Sequence, residues 1–94
     1  MTLVDLVYKT LKCLYQRDGD NNRFYSSFDV WCYLMNVFED DFSQLGYIKE
    51  DFTPQKMDNE VHRLLGCCNG YRFRMHLSPD EDKIPYGEYW IPKS

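Results

Sequence analysis

Leu3, Val7, Leu11 and Leu14 recur at the spacing of one helical face, with Leu6 on the same side. Thr2 supplies a capping hydroxyl and Asp5 follows three residues on, so a first helix is predicted to start at Thr2. The run Asp18-Gly19-Asp20-Asn21-Asn22 stops it. Ser26-Ser27-Phe28-Asp29 repeats the capping logic, and a second helix is predicted from there to about Phe38. It carries Phe28, Trp31, Leu34, Met35 and Phe38, with Val30, Tyr33 and Val37 on other sides, and is therefore expected to be the most buried element. A short helical turn is expected over Asp41 to Leu45, before Gly46.

Phe52-Thr53-Pro54 marks the next helix: Thr53 is a good N-cap, Pro54 suits the first helical position, and Phe52 can staple onto Met57. Met57, Val61, Leu64 and Leu65 line one face and Gly66 is a natural stop. The other face carries Gln55, Lys56, Asn59, Glu60, His62 and Arg63, with Asp58 counted among its polar residues. After Asn69-Gly70 the period drops to two: Tyr71, Phe73, Met75 and Leu77 alternate with Arg72, Arg74 and His76, as in a half-buried strand. A polar loop over residues 78–83 precedes a second strand from Tyr86 to Ile91, and the two are predicted to pair as an antiparallel hairpin between Pro85 and Pro92. The expected class is α+β, three helices followed by a C-terminal β-hairpin, in one domain spanning residues 1–94.

Composition narrows the class further. The 94 residues are 44% apolar and 17% aromatic, enough for one core, and no apolar run is long enough for a transmembrane helix. The N-terminus lacks the basic flank and long apolar stretch of a secretory signal, and four irregularly spaced cysteines fit a reducing compartment better than a disulfide framework, so an intracellular, cytoplasmic protein is expected. The net charge of −4 is unevenly placed. Glu39, Asp40, Asp41, Glu50 and Asp51 make residues 39–51 strongly acidic, and Asp80, Glu81, Asp82 and Glu88 do the same near the end. Between them lies a basic stretch with Lys56, Arg63, Arg72 and Arg74.

Three helices followed by a hairpin resemble the winged-helix variant of helix-turn-helix proteins, the part from Phe52 to Leu77 looking like its recognition helix and first wing strand. The connection from Phe38 to Phe52 is longer and more acidic than the tight turn of a standard helix-turn-helix. The resemblance implies a small regulatory protein binding duplex DNA, with its third helix in the major groove and a homodimer making up for few cations. Gln55, Lys56, Asn59 and Arg63 would then face base edges and phosphates, with Arg72, Arg74 and Lys83 on the backbone.

The competing reading is a non-catalytic, acidic protein-binding module. It would be similar to the small inhibitors that phages direct against host or defence proteins, anti-CRISPR proteins and DNA mimics among them. The acidic tip Asp80-Glu81-Asp82 and a surplus of tyrosines favour it, with Tyr25, Tyr47, Tyr86 and Tyr89 expected at the surface. Neither a metal nor a cofactor is expected: Cys13 and Cys32 stand alone, Cys67-Cys68 are adjacent, and His62 and His76 complete no ligand set. No nucleophile turn, carboxylate pair in an apolar pocket or phosphate-cradling glycine loop is present in the sequence, so a non-enzyme is expected.

Overall fold

A computed structural model of the chain describes residues 1–20, 22–64, 70–76 and 86–92. Helix α1 runs from Leu3 to Asp18. Thr2 caps it reciprocally: the Thr2 hydroxyl accepts from the Asp5 N–H while the Asp5 carboxylate accepts from the Thr2 N–H at 2.9 Å. The helix ends where Gly19 takes the left-handed conformation (φ 68°) and donates its N–H to the Tyr15 carbonyl. Leu3, Leu6, Val7, Leu11 and Leu14 are all buried, which makes α1 rather than the second helix the centre of the core.

The second helix, α2 (Ser27–Val37), is capped by Ser26, whose hydroxyl accepts from the Asp29 N–H. It buries Val30, Leu34 and Met35 but leaves Phe28 and Val37 exposed, contrary to the expectation drawn from its apolar residues. Phe28 and Val37 fall outside the stripe of Val30, Leu34 and Met35 that packs on the rest of the chain, so they face outward.

The acidic connection is itself structured. A short helix α3 (Glu39–Ser43) and a 3₁₀ turn (Lys49–Asp51) lie within it. Phe42 and Phe52 are buried with ring centroids 4.6 Å apart, and Tyr47 packs on both, at 5.9 Å from Phe42 and 5.3 Å from Phe52. Those aromatic contacts fasten the acidic segment to the body and leave its carboxylates outside.

The last helix, α4 (Pro54–Leu64), begins as predicted, with the Thr53 hydroxyl accepting from the Lys56 N–H at 3.2 Å. Met57 and Val61 face the core. Strands β2 (Arg72–His76) and β3 (Tyr86–Trp90) form the expected antiparallel hairpin, with Arg72 opposite Trp90, Phe73 opposite Tyr89 and Arg74 opposite Glu88. A two-residue strand β1 (Tyr25–Ser26) adds to the other edge of β3, giving the order β1-β3-β2 with every pair antiparallel. The fold is α+β; the short helical turn expected over Asp41 to Leu45 is α3, beginning two residues earlier, while the 3₁₀ turn and β1 are additional to what the hydrophobic pattern predicted. Two residues are too few to show an alternation, which is why β1 has no sequence signature.

Tyr25 and Tyr89 are wholly buried rather than exposed, and Tyr71 joins them. Each phenol reaches a partner: Tyr25 donates to Asp18 at 2.7 Å, Tyr71 to the Val4 carbonyl at 3.2 Å, and Tyr89 to Asp58 at 2.7 Å. Among the described residues no helix is long and apolar enough to cross a membrane. The expected stop at Gly66, the Cys67-Cys68 pair and the loop of residues 78–83 lie outside the described residues.

Candidate functional site

Gln55, Lys56, Asn59 and Arg63 all emerge on the exposed side of α4, because the apolar stripe of Met57 and Val61 turns that side away from the core. They differ in how free they are. The Arg63 guanidinium lies 2.9 Å from Glu60 Oε2, which also accepts from the Tyr47 hydroxyl at 2.9 Å. Those bonds, Arg63 first and then Tyr47, hold the Glu60 carboxyl below its ordinary range. Lys56 has no carboxylate partner among the described residues.

Asp58 does not belong to this face. It is 1% exposed and sits where α2, α4 and β3 meet. Ser27 Oγ donates to Asp58 Oδ2 at 2.6 Å and accepts from the Gly87 N–H at 2.6 Å, while the Tyr89 hydroxyl donates to Asp58 Oδ1 at 2.7 Å. Burial raises the Asp58 pKa, and the hydrogen bonds from Ser27, Tyr89 and the Gly87 backbone work against that rise. Gly87 is required for the approach: a Cβ there would collide with Phe73 Cε2 and lie 2.9 Å from Ser27 Oγ and 3.0 Å from Asp58 Oδ1. This buried joint fixes the roll of α4 against the sheet, and therefore which α4 residues face outward.

The sheet presents a second outward surface. Phe73 and Tyr89 point into the core, so Arg72, Arg74, Glu88 and Trp90 point away from it. Arg74 bonds Glu88 Oε2 through both Nε (3.0 Å) and Nη2 (2.9 Å). Its guanidinium also lies 5.3 Å from the ring centroids of Phe24 and Trp90, which meet edge to face at 5.4 Å. Beside these rings runs a groove of about 300 Å³ whose lining includes Tyr15, Arg23, Ile91 and Pro92. Lys83, the remaining predicted contact, lies outside the described residues.

Most cations of the described surface are already matched to carboxylates. Lys9 pairs with Asp41, Lys49 with Glu39, Arg63 with Glu60 and Arg74 with Glu88, while Arg17 and Arg23 share Asp18. Hydrogen bonds from Arg17 and then Tyr25 lower the Asp18 pKa to about 2. Among the described lysines and arginines, Lys12, Lys56 and Arg72 have no carboxylate partner, and Lys12 lies over the Tyr8 ring. Large apolar side chains are exposed meanwhile: Phe24 at 49%, Phe28 at 62%, Val37 at 55% and Ile48 at 60%.

Sequence reasoning missed both the Ser27–Asp58–Tyr89 joint and the Phe24–Trp90 pair. The joint had one signal, a glycine inside a predicted strand, which marks close approach of a neighbour. Cys13 and Cys32 are half-buried free thiols, and no group of three His, Cys, Asp or Glu residues able to hold a metal occurs among the described residues. Comparison with protein-family models, curated proteins and solved structures found no match to this chain.

Proposed function

We propose that this chain is a non-catalytic protein-binding module acting by surface contact, in a regulatory or inhibitory role. The observation that carries this reading is the pairing of Arg63 with Glu60 and of Arg74 with Glu88 on the two faces expected to meet DNA. A duplex-binding surface draws its affinity from phosphate contacts, and a protein making about 6–10 of them owes much of its binding to released counterions. The described α4 and sheet faces offer only Lys56 and Arg72 outside an ion pair with a described carboxylate, and Glu60 still lies within the electrostatic reach of Lys56. Each surface ion pair contributes only about 0–1 kcal/mol, but it cancels the field that would gather a polyanion. The exposed Phe24, Phe28, Val37 and Ile48 supply the apolar area that a protein interface buries at its centre. Free thiols at Cys13 and Cys32 support an intracellular setting.

Chromatography on immobilised heparin and on random duplex at low salt tests the proposal. The expected result is no retention beyond that of the Lys56→Glu/Arg63→Glu double variant. Retention that weakens with salt and disappears in the double variant overturns it in favour of a winged-helix-like regulator reading DNA through Gln55, Lys56, Asn59 and Arg63.

A further inference from the structure

We propose that the outward face of the sheet, with its adjoining groove, docks an acidic segment of a partner protein that carries one bulky apolar side chain. This deepens the protein-binding reading above and rests on it. The pairing places Arg72 directly opposite Trp90, and Phe24 meets Trp90 from the side of β1, so Arg72 and two aromatic residues share one row across three neighbouring chain segments, with the Arg72 guanidinium donating to the Tyr71 carbonyl at 3.2 Å. Arg74, held by two bonds to a single oxygen of Glu88, lies against both rings and keeps the Phe24–Trp90 pair in place. The row is therefore preorganised, and little side-chain entropy is lost when something lands on it.

The groove beside the row has an equally fixed floor. The Tyr15 hydroxyl donates to the Arg23 carbonyl at 2.5 Å and accepts from the Ile91 N–H at 3.3 Å, tying the end of α1 to the segments before β1 and after β3. At about 300 Å³ and flanked by Phe24, Trp90, Ile91 and Pro92, it suits one large apolar side chain. The charge of the neighbourhood sets the rest of the ligand. In a chain whose net charge is −4, Arg23 lines the groove, Arg74 lies against its two rings and Arg72 stands opposite Trp90 with no carboxylate partner among the described residues. One or two carboxylates flanking the apolar anchor would complete Arg72 and approach Arg23, which lies 3.4 Å from an Asp18 carboxylate already bonded to Arg17. A long polyanion is disfavoured by the same count, because Glu88 and Asp18 lie between the cations.

The test pans the full chain against a phage-displayed random dodecapeptide library and measures the recovered peptides by calorimetry on wild type, Arg72→Glu, Phe24→Ala and Lys56→Glu. Arg72 and Phe24 are exposed, and amide NMR spectra verify that each variant is folded. The recovered peptides are expected to place Asp or Glu on either side of one large apolar residue. Arg72→Glu and Phe24→Ala are expected to weaken binding at least about tenfold, with Lys56→Glu unchanged. In NMR spectra of the wild type the Trp90 indole N–H is expected to shift on binding, while that of Trp31, bonded to the Phe52 carbonyl at 2.8 Å, stays in place.

Peptides that bind but shift Phe28 and Val37 on α2 overturn this site and leave the protein-binding reading standing. Recovery of no peptide, or of peptides without acidic residues, also overturns the site. Self-association in sedimentation that Arg72→Glu abolishes assigns the face to a second copy, whose exposed Ile48 stands beside Glu50 and Asp51, and removes the separate partner. Tight binding of a thymidine oligonucleotide that Phe24→Ala abolishes overturns both proposals, since stacking rings beside arginines would then serve single-stranded nucleic acid.

Discussion

Replacing Asp58 separates its two roles, as acceptor and as buried charge. In Asp58→Ala the Ser27 and Tyr89 hydroxyls each lose an acceptor in a region from which water is excluded. A buried donor left unmade costs about 1–3 kcal/mol, and Ser27 can redirect its proton to the Gly87 carbonyl at 3.0 Å, so most of the loss falls on Tyr89. Adding the small cavity left by the carboxylate gives a loss of about 2–4 kcal/mol. For a domain of this size that lowers Tm by more than about 8 °C. Asp58→Asn should behave differently. Its carbonyl oxygen keeps the Tyr89 bond, its amide can donate to Ser27, and the Ser27 proton turns to the Gly87 carbonyl, so a loss below about 1.5 kcal/mol is expected.

The pH dependence carries the sign. Because burial raises the Asp58 pKa in the folded chain, this group's contribution is greatest below the unfolded value of 3.8 and is lost as pH rises through the folded value. The stability of wild type minus that of Asp58→Asn must therefore fall with rising pH across that window. Thermal melts at several pH values, followed by near-UV circular dichroism, measure both effects. If Asp58→Ala melts within about 2 °C of wild type, or if the difference from Asp58→Asn rises with pH, the joint is not built as described.

Gly87→Ala should cost about 1–3 kcal/mol by overpacking, since its methyl would press on Phe73, Ser27 and Asp58 together; urea unfolding would register it as a lower midpoint at unchanged slope. Asp18→Asn should show the opposite pH behaviour to Asp58: the Asp18 pKa is lowered to about 2, so its contribution is present above the unfolded value of 3.8 and disappears as pH falls toward 2. Acid unfolding curves of the variant and wild type should then converge at the lowest pH. Phe28→Ser, at an exposed position on α2, should leave Tm within a few degrees of wild type, whereas Val30→Ser, wholly buried two residues further on, should unfold the chain at far lower temperature.

The helices and hairpin were legible because capping and periodicity are local. Thr2 with Asp5, and Thr53 with Pro54, announce helix starts through bonds that close within three residues. The alternation from Tyr71 to His76 likewise puts a half-buried strand in the right place and gives the outward direction of Arg72 and Arg74. What stayed hidden depends on distant partners. Tyr25 and Tyr89 look like surface material until Asp18 and Asp58 are found waiting for their hydroxyls. Asp58 itself reads as part of a solvated face, because a buried carboxylate is chosen by groups 31 residues away in sequence, not by its helical neighbours. Cations show the same limit. Arg63 meets Glu60 within its own helix, but Arg74 meets Glu88 only across the hairpin, so counting charges could not show which guanidinium groups were spent.

The most direct test of a surface built for protein contact is an NMR titration of the labelled chain with a random duplex of about two helical turns at roughly 0.1 M salt. The amides of Gln55, Lys56 and Asn59 on α4, and of Arg72 and Arg74 on β2, are predicted to stay where they are. Saturable shifts running along the exposed side of α4 and onto β2, reversed by added salt, would contradict the account and make duplex DNA the ligand.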